Sequence, residues 1–160
     1  MIRVARSDDE TAVASAVEEA FGRPNEARLV GQLRAGGDVV ISLVAIADEK
    51  IVGHVMLSRM AAPFRALGLA PVSVVPDYQR HGIGHALIRE GLKQAKEQGW
   101  DAVFVLGDRA YYERFGFRAN LAKGFSSPYA GPHFMALSLR AALPSSSGRV
   151  EYAPAFASLG

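Results

Sequence analysis

Apolar residues recur at three- and four-residue intervals in several segments of the chain, the spacing of a helix with one buried face. The tetrapeptide SDDE, residues 7–10, precedes the first such segment and has the form of a capping box, in which Ser7 bonds the amide of Glu10. Gly99 follows another segment and suits the left-handed residue that ends a helix. The predicted helices are residues 8–21, 25–34, 84–98 and 109–114.

Runs rich in β-branched and apolar residues alternate with these helices and predict strands. The predicted strands are residues 1–6, 39–47, 51–58, 67–75, 102–106 and 133–139, with a further strand beginning within 117–120. Pro71 interrupts one of them, and because proline cannot donate to a strand ladder, a bulge or a sheet edge is expected there. Strands and helices intermix, so the fold class is α/β or α+β around one sheet.

Composition indicates an ordinary globular protein. The chain has 160 residues, of which 49% are hydrophobic and 21% charged, and its net charge is +2. Lys and Arg are scattered, so neither nucleic acid nor a membrane surface is an expected partner. The chain has no cysteine, which excludes disulfides and thiolate catalysis. No signal peptide is apparent and the longest apolar run is too short to span a bilayer, so a cytoplasmic location is expected.

The C-terminal segment combines a flexible joint with apolar residues. Pro, Ser and Gly dominate residues 144–148, and Val150, Tyr152 and Phe156 follow. These side chains are apolar enough to dock on the core. We therefore expect one domain over residues 1–160, with residues 143–160 as a docked extension that is also a candidate contact for a homodimer.

The sequence QRHGIG, residues 79–84, lies between a predicted strand and a predicted helix. The first amides of a helix have no partner within the helix, and the helix dipole adds partial positive charge. Gly82 and Gly84 let a ligand approach the backbone closely, and Arg80 and His81 add donors. This arrangement predicts an anion site, and a pyrophosphate would use several of its amides at once.

Two other phosphate-binding motifs fit this loop poorly. A P-loop requires Lys and then Ser or Thr after its last glycine, where this chain has His85 and Ala86. A dinucleotide fingerprint requires a third glycine, where this chain has Leu87. A nicotinamide-binding oxidoreductase is therefore a weak rival, and a purely structural glycine turn is another.

Three motifs in order resemble the GNAT superfamily of acetyl-CoA-dependent N-acetyltransferases. QRHGIG resembles its Gln/Arg-x-x-Gly-x-Gly/Ala motif, VSVVP at residues 72–76 resembles its fourth strand, and YERFGF at 112–117 resembles its Tyr-x-x-x-Gly-Phe segment. The resemblance covers residues 72–117. It implies a single domain with a central mixed, mostly antiparallel sheet that splays between its fourth and fifth strands and is flanked by helices.

The resemblance also implies a function and its residues. Acetyl-CoA would donate its acetyl group to a primary amine, with no metal. The implied cofactor-binding residues are Val72, Ser73 and Val74 on the strand, and Gln79, Arg80, His81, Gly82, Ile83, Gly84 and His85 in the loop. Tyr112 would protonate the leaving thiolate, although Tyr111 and Tyr112 could both be aromatic packing instead.

The sequence does not single out a general base. Residues 67–74 carry no Asp or Glu, where many GNAT members have one. By residue type alone the candidates are Glu18, Glu19, His54 and His133, with His54 favoured as a structural histidine and water as another proton acceptor. A non-catalytic acyl-CoA-binding or regulatory module is the alternative function.

The acceptor class is equally open. A small amine, an aminoglycoside-like compound and a peptide N-terminus all fit. Four residues either line an apolar acceptor pocket or merely fill loops: Pro63, Phe64, Phe125 and Tyr129.

Overall fold

The structure, a computed structural model, describes residues 1–159. Its strands are β1 (Ile2–Val4), β2 (Val39–Ala47), β3 (Lys50–Arg59), β4 (Ala66–Val74), β5 (Ala102–Leu106), β6 (Phe125–Ser126), β7 (Phe134–Ser138) and β8 (Gly148–Arg149). Its helices are α1 (Glu10–Phe21), α2 (Asn25–Ala35), α3 (Ile83–Glu97), α4 (Arg109–Glu113) and α5 (Ala119–Ala122). None of the helices within residues 1–159 has the length and apolar character needed to cross a bilayer.

Six strands form one mixed sheet in the order β1-β2-β3-β4-β5-β7. The pair β4 and β5 is parallel, and the other four pairs are antiparallel. The prediction of a mixed, mostly antiparallel sheet flanked by helices is confirmed.

The strands β4 and β5 separate after a short paired region. Their parallel register covers Ala66, Leu67 and Gly68 opposite Ala102, Val103 and Phe104. Beyond Gly68, β4 continues to Val74 without β5 beside it, and this opens a V-shaped cleft between the two strands. The predicted splay is therefore confirmed.

Helices cover both faces of the sheet. On one face α3 buries Leu87, Ile88 and Leu92 against residues of β2, β3 and β4. On the other face α1 and α2 pack over β2 and β3, while the aromatic cluster of Phe104, Phe125 and Phe134 covers β5 and β7. Both faces of the sheet are thus covered, and the cleft between β4 and β5 interrupts the sheet between them.

Pro71 lies at a bulge in a central strand, one of the two settings expected for it. Val55 pairs with Val72 and Leu57 pairs with Leu69, so two residues of β4, Ala70 and Pro71, lie opposite the single residue between them on β3. An extra residue in one strand bends it and disrupts the ladder. The missing proline amide therefore costs no ladder hydrogen bond.

The predicted capping box at SDDE is wrong. Residues Ser7–Asp9 form a 3₁₀ turn, and α1 begins at Glu10 without a side-chain cap. Asp9 fixes this turn instead: its carboxylate accepts from the Arg6 amide at 2.7 Å and from the Arg3 guanidinium at 2.7 and 3.0 Å. This partly buried ion pair with β1 holds residues 7–9 in the 3₁₀ turn, so α1 starts only at Glu10.

Three predictions for the second half of the chain need correction. Residues 119–122 form α5 instead of a strand, and only Arg118 pairs with Ala136 in an isolated bridge. Residues 123–132, where no strand is predicted, contain β6, and the predicted joint at 144–148 ends in β8, to which β6 is paired in parallel. The Arg118–Ala136 bridge and the β6–β8 pair each join segments that are distant in the sequence, so a local pattern does not predict them.

The C-terminal segment packs against the sheet. Val150 is fully buried beside Phe104 and Phe134, and Phe156 is buried beside residues of α1 and α2. Tyr152 contacts both clusters. This segment thus bridges the two halves of the face opposite α3.

Candidate active site

The wall of the cleft is a strand edge with free backbone groups. The Val75 amide donates to the Val52 carbonyl of β3 at 2.9 Å. Because successive residues of a strand direct their backbone groups to opposite edges, those of Val72 and Val74 are directed into the cleft, while those of Ser73 are directed to β3. Of the three predicted strand residues, the two valines therefore present their backbone to the cleft and Ser73 does not.

One of these backbone groups is already bonded. The Gln79 side-chain amide donates to the Val74 carbonyl at 2.9 Å. Gln79 therefore ties the loop to the end of β4, and the Val74 amide and both polar groups of Val72 remain on the open edge.

The loop backbone is shaped as an anion cradle. Arg80 has φ = 66° and Gly82 has φ = 81°, and both values are left-handed. Turns of this kind direct successive amides into one concavity. Gly82 precedes α3 without a side-chain cap, so the amides of Ile83, Gly84 and His85 have no capping partner and point out of the helix end.

A cavity of about 360 Å³ lies between this loop, β4 and α4. Seven predicted cofactor residues line it: Val74, Gln79, Arg80, Gly82, Ile83, Gly84 and His85. Three further lining residues were missed by sequence reasoning: Tyr78, Tyr111 and Arg114. Arg114 lies 5.6 Å from the centre of the Tyr111 ring and brings a cation to the cradle.

The two histidines of the loop differ in their surroundings. His81 is exposed and does not line the cavity. The His85 ring packs on Phe115, with 4.6 Å between ring centres, and its Nε2 accepts from the Arg89 Nε at 2.9 Å. His85 thus offers its backbone amide to the cradle while its side chain packs α3 against the turn that follows α4.

Tyr111 and Tyr112 face different parts of the cleft. A methyl group placed on Gly84 would lie 3.5 Å from the Tyr111 hydroxyl, so Tyr111 borders the cradle. The Tyr112 ring covers Gly107, just past the end of β5, and packs edge-on against the buried Phe117 at 5.9 Å. Tyr112 is therefore on the β5 side of the cleft.

Burial raises the pKa of Tyr112 to about 12, with a smaller contribution from the neighbouring Tyr111. The Tyr112 phenol consequently keeps its proton throughout the neutral and mildly alkaline range. It therefore stays available as a hydrogen-bond donor, and its phenolate is not populated to act as a base.

His54 is a buried structural residue. Its ring is fully buried, its Nε2 lies 2.9 Å from the Ser42 hydroxyl, and it pairs across the strands with Ser73. Burial lowers the pKa of His54 to about 3. A base this weak and this enclosed has no means of deprotonating an amine at neutral pH.

Among the other candidate bases, His133 lies beside the β5 side of the cleft and the two glutamates lie on α1. Glu18 and Glu19 are exposed on α1. His133 is exposed, and its Nδ1 lies 3.2 Å from the carbonyl of Gly107, the residue that the Tyr112 ring covers. Within residues 1–159 no three His, Asp or Glu side chains are grouped as metal ligands.

Two of the loop aromatics belong to the core. Phe64 and Phe125 pack with Phe104 at ring distances of 6.4 and 5.6 Å. Tyr129 instead is exposed and packs edge-on against Tyr152 at 5.4 Å. Tyr129 is therefore accessible to a molecule that binds on the face opposite α3.

Comparison with known proteins identifies the fold and the relatives of this chain. A sequence model described as an acetyltransferase (GNAT) domain matches residues 1–119. The chain is 38% identical over 122 residues to the uncharacterized N-acetyltransferase YjhQ of Escherichia coli K12, an alignment that covers 71% of this chain and 67% of YjhQ.

Two solved structures are similar over almost the whole chain. The N-acetyltransferase YhbS of Escherichia coli in complex with CoA superposes with a TM-score of 0.93 at 32% identity, covering 100% of this chain and 93% of YhbS. A GNAT family acetyltransferase of Brucella melitensis in complex with acetyl-CoA superposes with a TM-score of 0.83 at 35% identity, covering 98% and 97%. Both relatives are solved with a CoA species.

Proposed function

This chain belongs to the GNAT acetyltransferase family, and we propose that it transfers the acetyl group of acetyl-CoA directly to a primary amine. One observation carries the proposal: an unpaired strand edge and an uncapped helix N-terminus meet at a single cleft. Such a cleft suits a ligand with an extended amide arm and a pyrophosphate. The CoA-bound relatives support the same ligand class.

The loop would hold the pyrophosphate. The backbone amides of residues 80–85 would bind it, and the dipole of α3 favours an anion there. Arg80 and His81 would add donors from the solvent side, and Arg114, just after α4, would add a positive charge. The Gln79 side chain holds the loop to β4.

The arm of the cofactor would pair with β4. The pantetheine contains two amide groups, and the free backbone groups of Val72 and Val74 lie two residues apart on one edge. Pairing of this type adds a strand to an exposed edge. Ser73 would not pair with the arm itself, because its backbone groups are directed to β3. It would space Val72 and Val74 along the edge.

The proposed reaction uses the two substrates, water, and backbone and side-chain groups of the cleft. The neutral amine nitrogen attacks the thioester carbonyl carbon, a C–N bond forms, and the C–S bond breaks. An amide of the β4 edge, Val72 or Val74, would donate to the oxyanion. Tyr112 would transfer its phenolic proton to the departing thiolate and recover a proton from solvent, and the proton released from nitrogen would pass to water.

A non-catalytic acyl-CoA-binding module is the second candidate, and the lack of a carboxylate on β4 favours it. The two candidates share the cradle and differ at Tyr112. An enzyme needs the Tyr112 phenol for its rate, whereas a binding module does not.

The acceptor would be an amine-bearing small molecule or a peptide N-terminus that enters on the face opposite α3. Tyr129 is exposed on this face beside Tyr152. A homodimer through the C-terminal segment remains part of the proposal, and analytical ultracentrifugation tests it.

Calorimetric binding of CoA, acetyl-CoA and NADH to the purified protein tests the proposal. We expect micromolar dissociation constants for both CoA species and no detectable binding of NADH. Screening amines for release of free CoA thiol then separates the enzyme from the binding module. Absence of CoA binding would overturn both candidates.

A further inference from the structure

Tyr152, in the C-terminal segment, lies against the point where β4 and β5 separate. A methyl group placed on Gly68 would lie 2.5 Å from Cε1 of the Tyr152 ring, so the ring is in direct contact with the Gly68 backbone. Gly68 belongs to the last paired position of β4 and β5. The narrow end of the cleft is thus covered by an aromatic ring that neither strand supplies.

Other aromatic residues hold this ring in place. It packs against Tyr129 at 5.4 Å, Phe156 at 5.1 Å and Phe134 at 6.4 Å between ring centres. Phe134 and Phe156 are themselves buried, and Val150 anchors the same segment. A ring packed on three sides forms a fixed wall.

The proposed orientation of the cofactor directs its acyl end at this wall. This step rests on the proposed function. With the pyrophosphate at the N-terminus of α3 and the arm along Val74 and then Val72, the thioester is directed toward the bulge and Gly68. The phenols of Tyr112 and Tyr152 are close enough that Tyr112 contributes, after burial and Tyr129, to raising the pKa of Tyr152.

We propose that the Tyr152 ring is the end wall of the acyl pocket and restricts the donor to short acyl-CoA thioesters such as acetyl-CoA. An acyl chain that extends past the fork meets a packed ring instead of open space. The residue that sets donor specificity would therefore come from the C-terminal segment.

The test measures binding of acetyl-CoA, butyryl-CoA and hexanoyl-CoA by calorimetry to the full-length protein and to Tyr152→Ala. The wild-type protein is expected to bind hexanoyl-CoA about tenfold or more weakly than acetyl-CoA, because a closed pocket discriminates strongly against added methylenes. Tyr152→Ala is expected to reduce this ratio to about threefold or less. Tyr152→Phe retains the ring and should retain the wild-type ratio.

Each other outcome overturns the inference. Equal binding of all three thioesters by the wild-type protein, or an unchanged ratio in Tyr152→Ala, shows that Tyr152 does not limit the pocket. If Tyr152→Ala does not fold, judged by its thermal unfolding, Tyr152→Leu replaces it with a smaller apolar side chain and the same expectation. If no CoA species binds the wild-type protein, the proposed function fails first and this inference with it.

Discussion

Tyr111 and Tyr112 are adjacent residues whose phenols have different surroundings. Tyr111 borders Gly84 at the cradle, whereas Tyr112 covers Gly107 beside β5. Both pKa values are raised, mainly by burial. In the proposed function, the direction of each side chain would therefore assign Tyr111 to the cofactor and Tyr112 to the reaction.

Tyr112→Phe is expected to lower the turnover number about 10²-fold or more with an acceptor found by the amine screen, because a positioned acid contributes that much to a proton transfer. The dissociation constant of CoA should change little. Because burial raises the pKa of Tyr112 to about 12, the wild-type rate should rise with pH as the amine loses its proton and show no fall due to Tyr112 between about pH 7 and 10.

Tyr111→Phe provides the matched comparison. It removes the same hydroxyl from the neighbouring ring, so it should weaken cofactor binding and leave the rate at saturating acetyl-CoA largely intact. Equal turnover of Tyr112→Phe and the wild-type protein would exclude Tyr112 as the acid.

At the scale of elements, β4 and the start of α3 determine the site together. The bulge at Ala70 and Pro71 bends β4, and beyond Gly68 the strand has a free edge. The left-handed residues Arg80 and Gly82 then turn the chain so that α3 begins with open amides. Neither element alone would accommodate both an extended arm and a pyrophosphate.

Gly84→Ala is expected to fold normally and to weaken CoA binding about tenfold, equivalent to about 1.4 kcal/mol. Its methyl group would make ordinary contacts, 3.5 Å from the Tyr111 hydroxyl and 3.7 Å from Val74 Cγ2, but would occupy the cradle. Calorimetry and thermal unfolding measure the two effects separately.

Gly31→Ala is the control for this substitution. Gly31 lies in α2 with no atom within 4 Å of the added methyl group. CoA affinity should not change, and the free energy of unfolding should rise by about 0.5–1 kcal/mol, since alanine is the better helix former. Unchanged CoA affinity in Gly84→Ala would argue against close backbone approach at the loop.

Asp9→Asn is expected to lower the free energy of unfolding by about 1–2 kcal/mol at pH 7, the range for loss of a helix-terminus contact. The hydrogen bond from Arg3 holds the pKa of Asp9 well below its usual value. A carboxylate with a depressed pKa stabilises the fold fully above its unfolded pKa, near 4, and progressively less as the pH falls toward its folded pKa.

Urea unfolding at several pH values measures this difference. The gap between the wild-type protein and Asp9→Asn should be constant from about pH 5 to 8 and shrink below about pH 4. Asp8→Asn, at the exposed neighbouring position, should have little effect at any of these values. A gap that does not depend on pH would mean that the Asp9 charge is not the stabilising feature.

At the scale of the whole molecule, the C-terminal segment completes the face opposite α3. Phe156 packs with α1 and α2, Val150 packs with the cluster over β5 and β7, and Tyr152 lies between them at the fork. The segment therefore links the stability of the fold to the shape of the cleft.

Phe156→Ala is expected to lower the free energy of unfolding by about 3 kcal/mol, since it leaves a cavity where an aromatic ring was buried. Phe156 is 8% exposed, and Leu121, which is 37% exposed, provides a control. Leu121→Ala should cost about 0.5 kcal/mol or less. Equal stability of the two variants, measured by urea unfolding, would mean that the segment does not contribute to the core.

Elements whose signal is local could be predicted from the amino-acid sequence. The spacing of apolar residues predicted α2, α3 and the strands of the main sheet, and the glycine loop before α3 predicted a turn, a helix start and an anion cradle. Pro71 marked the bulge because a missing amide has a local consequence. The family resemblance, which rests on residues 72–117, predicted that β4 and β5 splay apart. Comparison with known proteins confirmed the family, and the register of β4 and β5 confirmed the splay.

Tertiary structure alone decided features that depend on partners distant in sequence. Asp9 replaced Ser7 at the start of α1 because Arg3 binds its carboxylate, β6 and β8 exist because they pair with each other, and burial made His54 a weak base. Tyr152 reaches the fork only because the C-terminal segment crosses the sheet. Periodicity and motifs report on neighbours along the chain, whereas burial, ion pairing and pKa are set by neighbours in space.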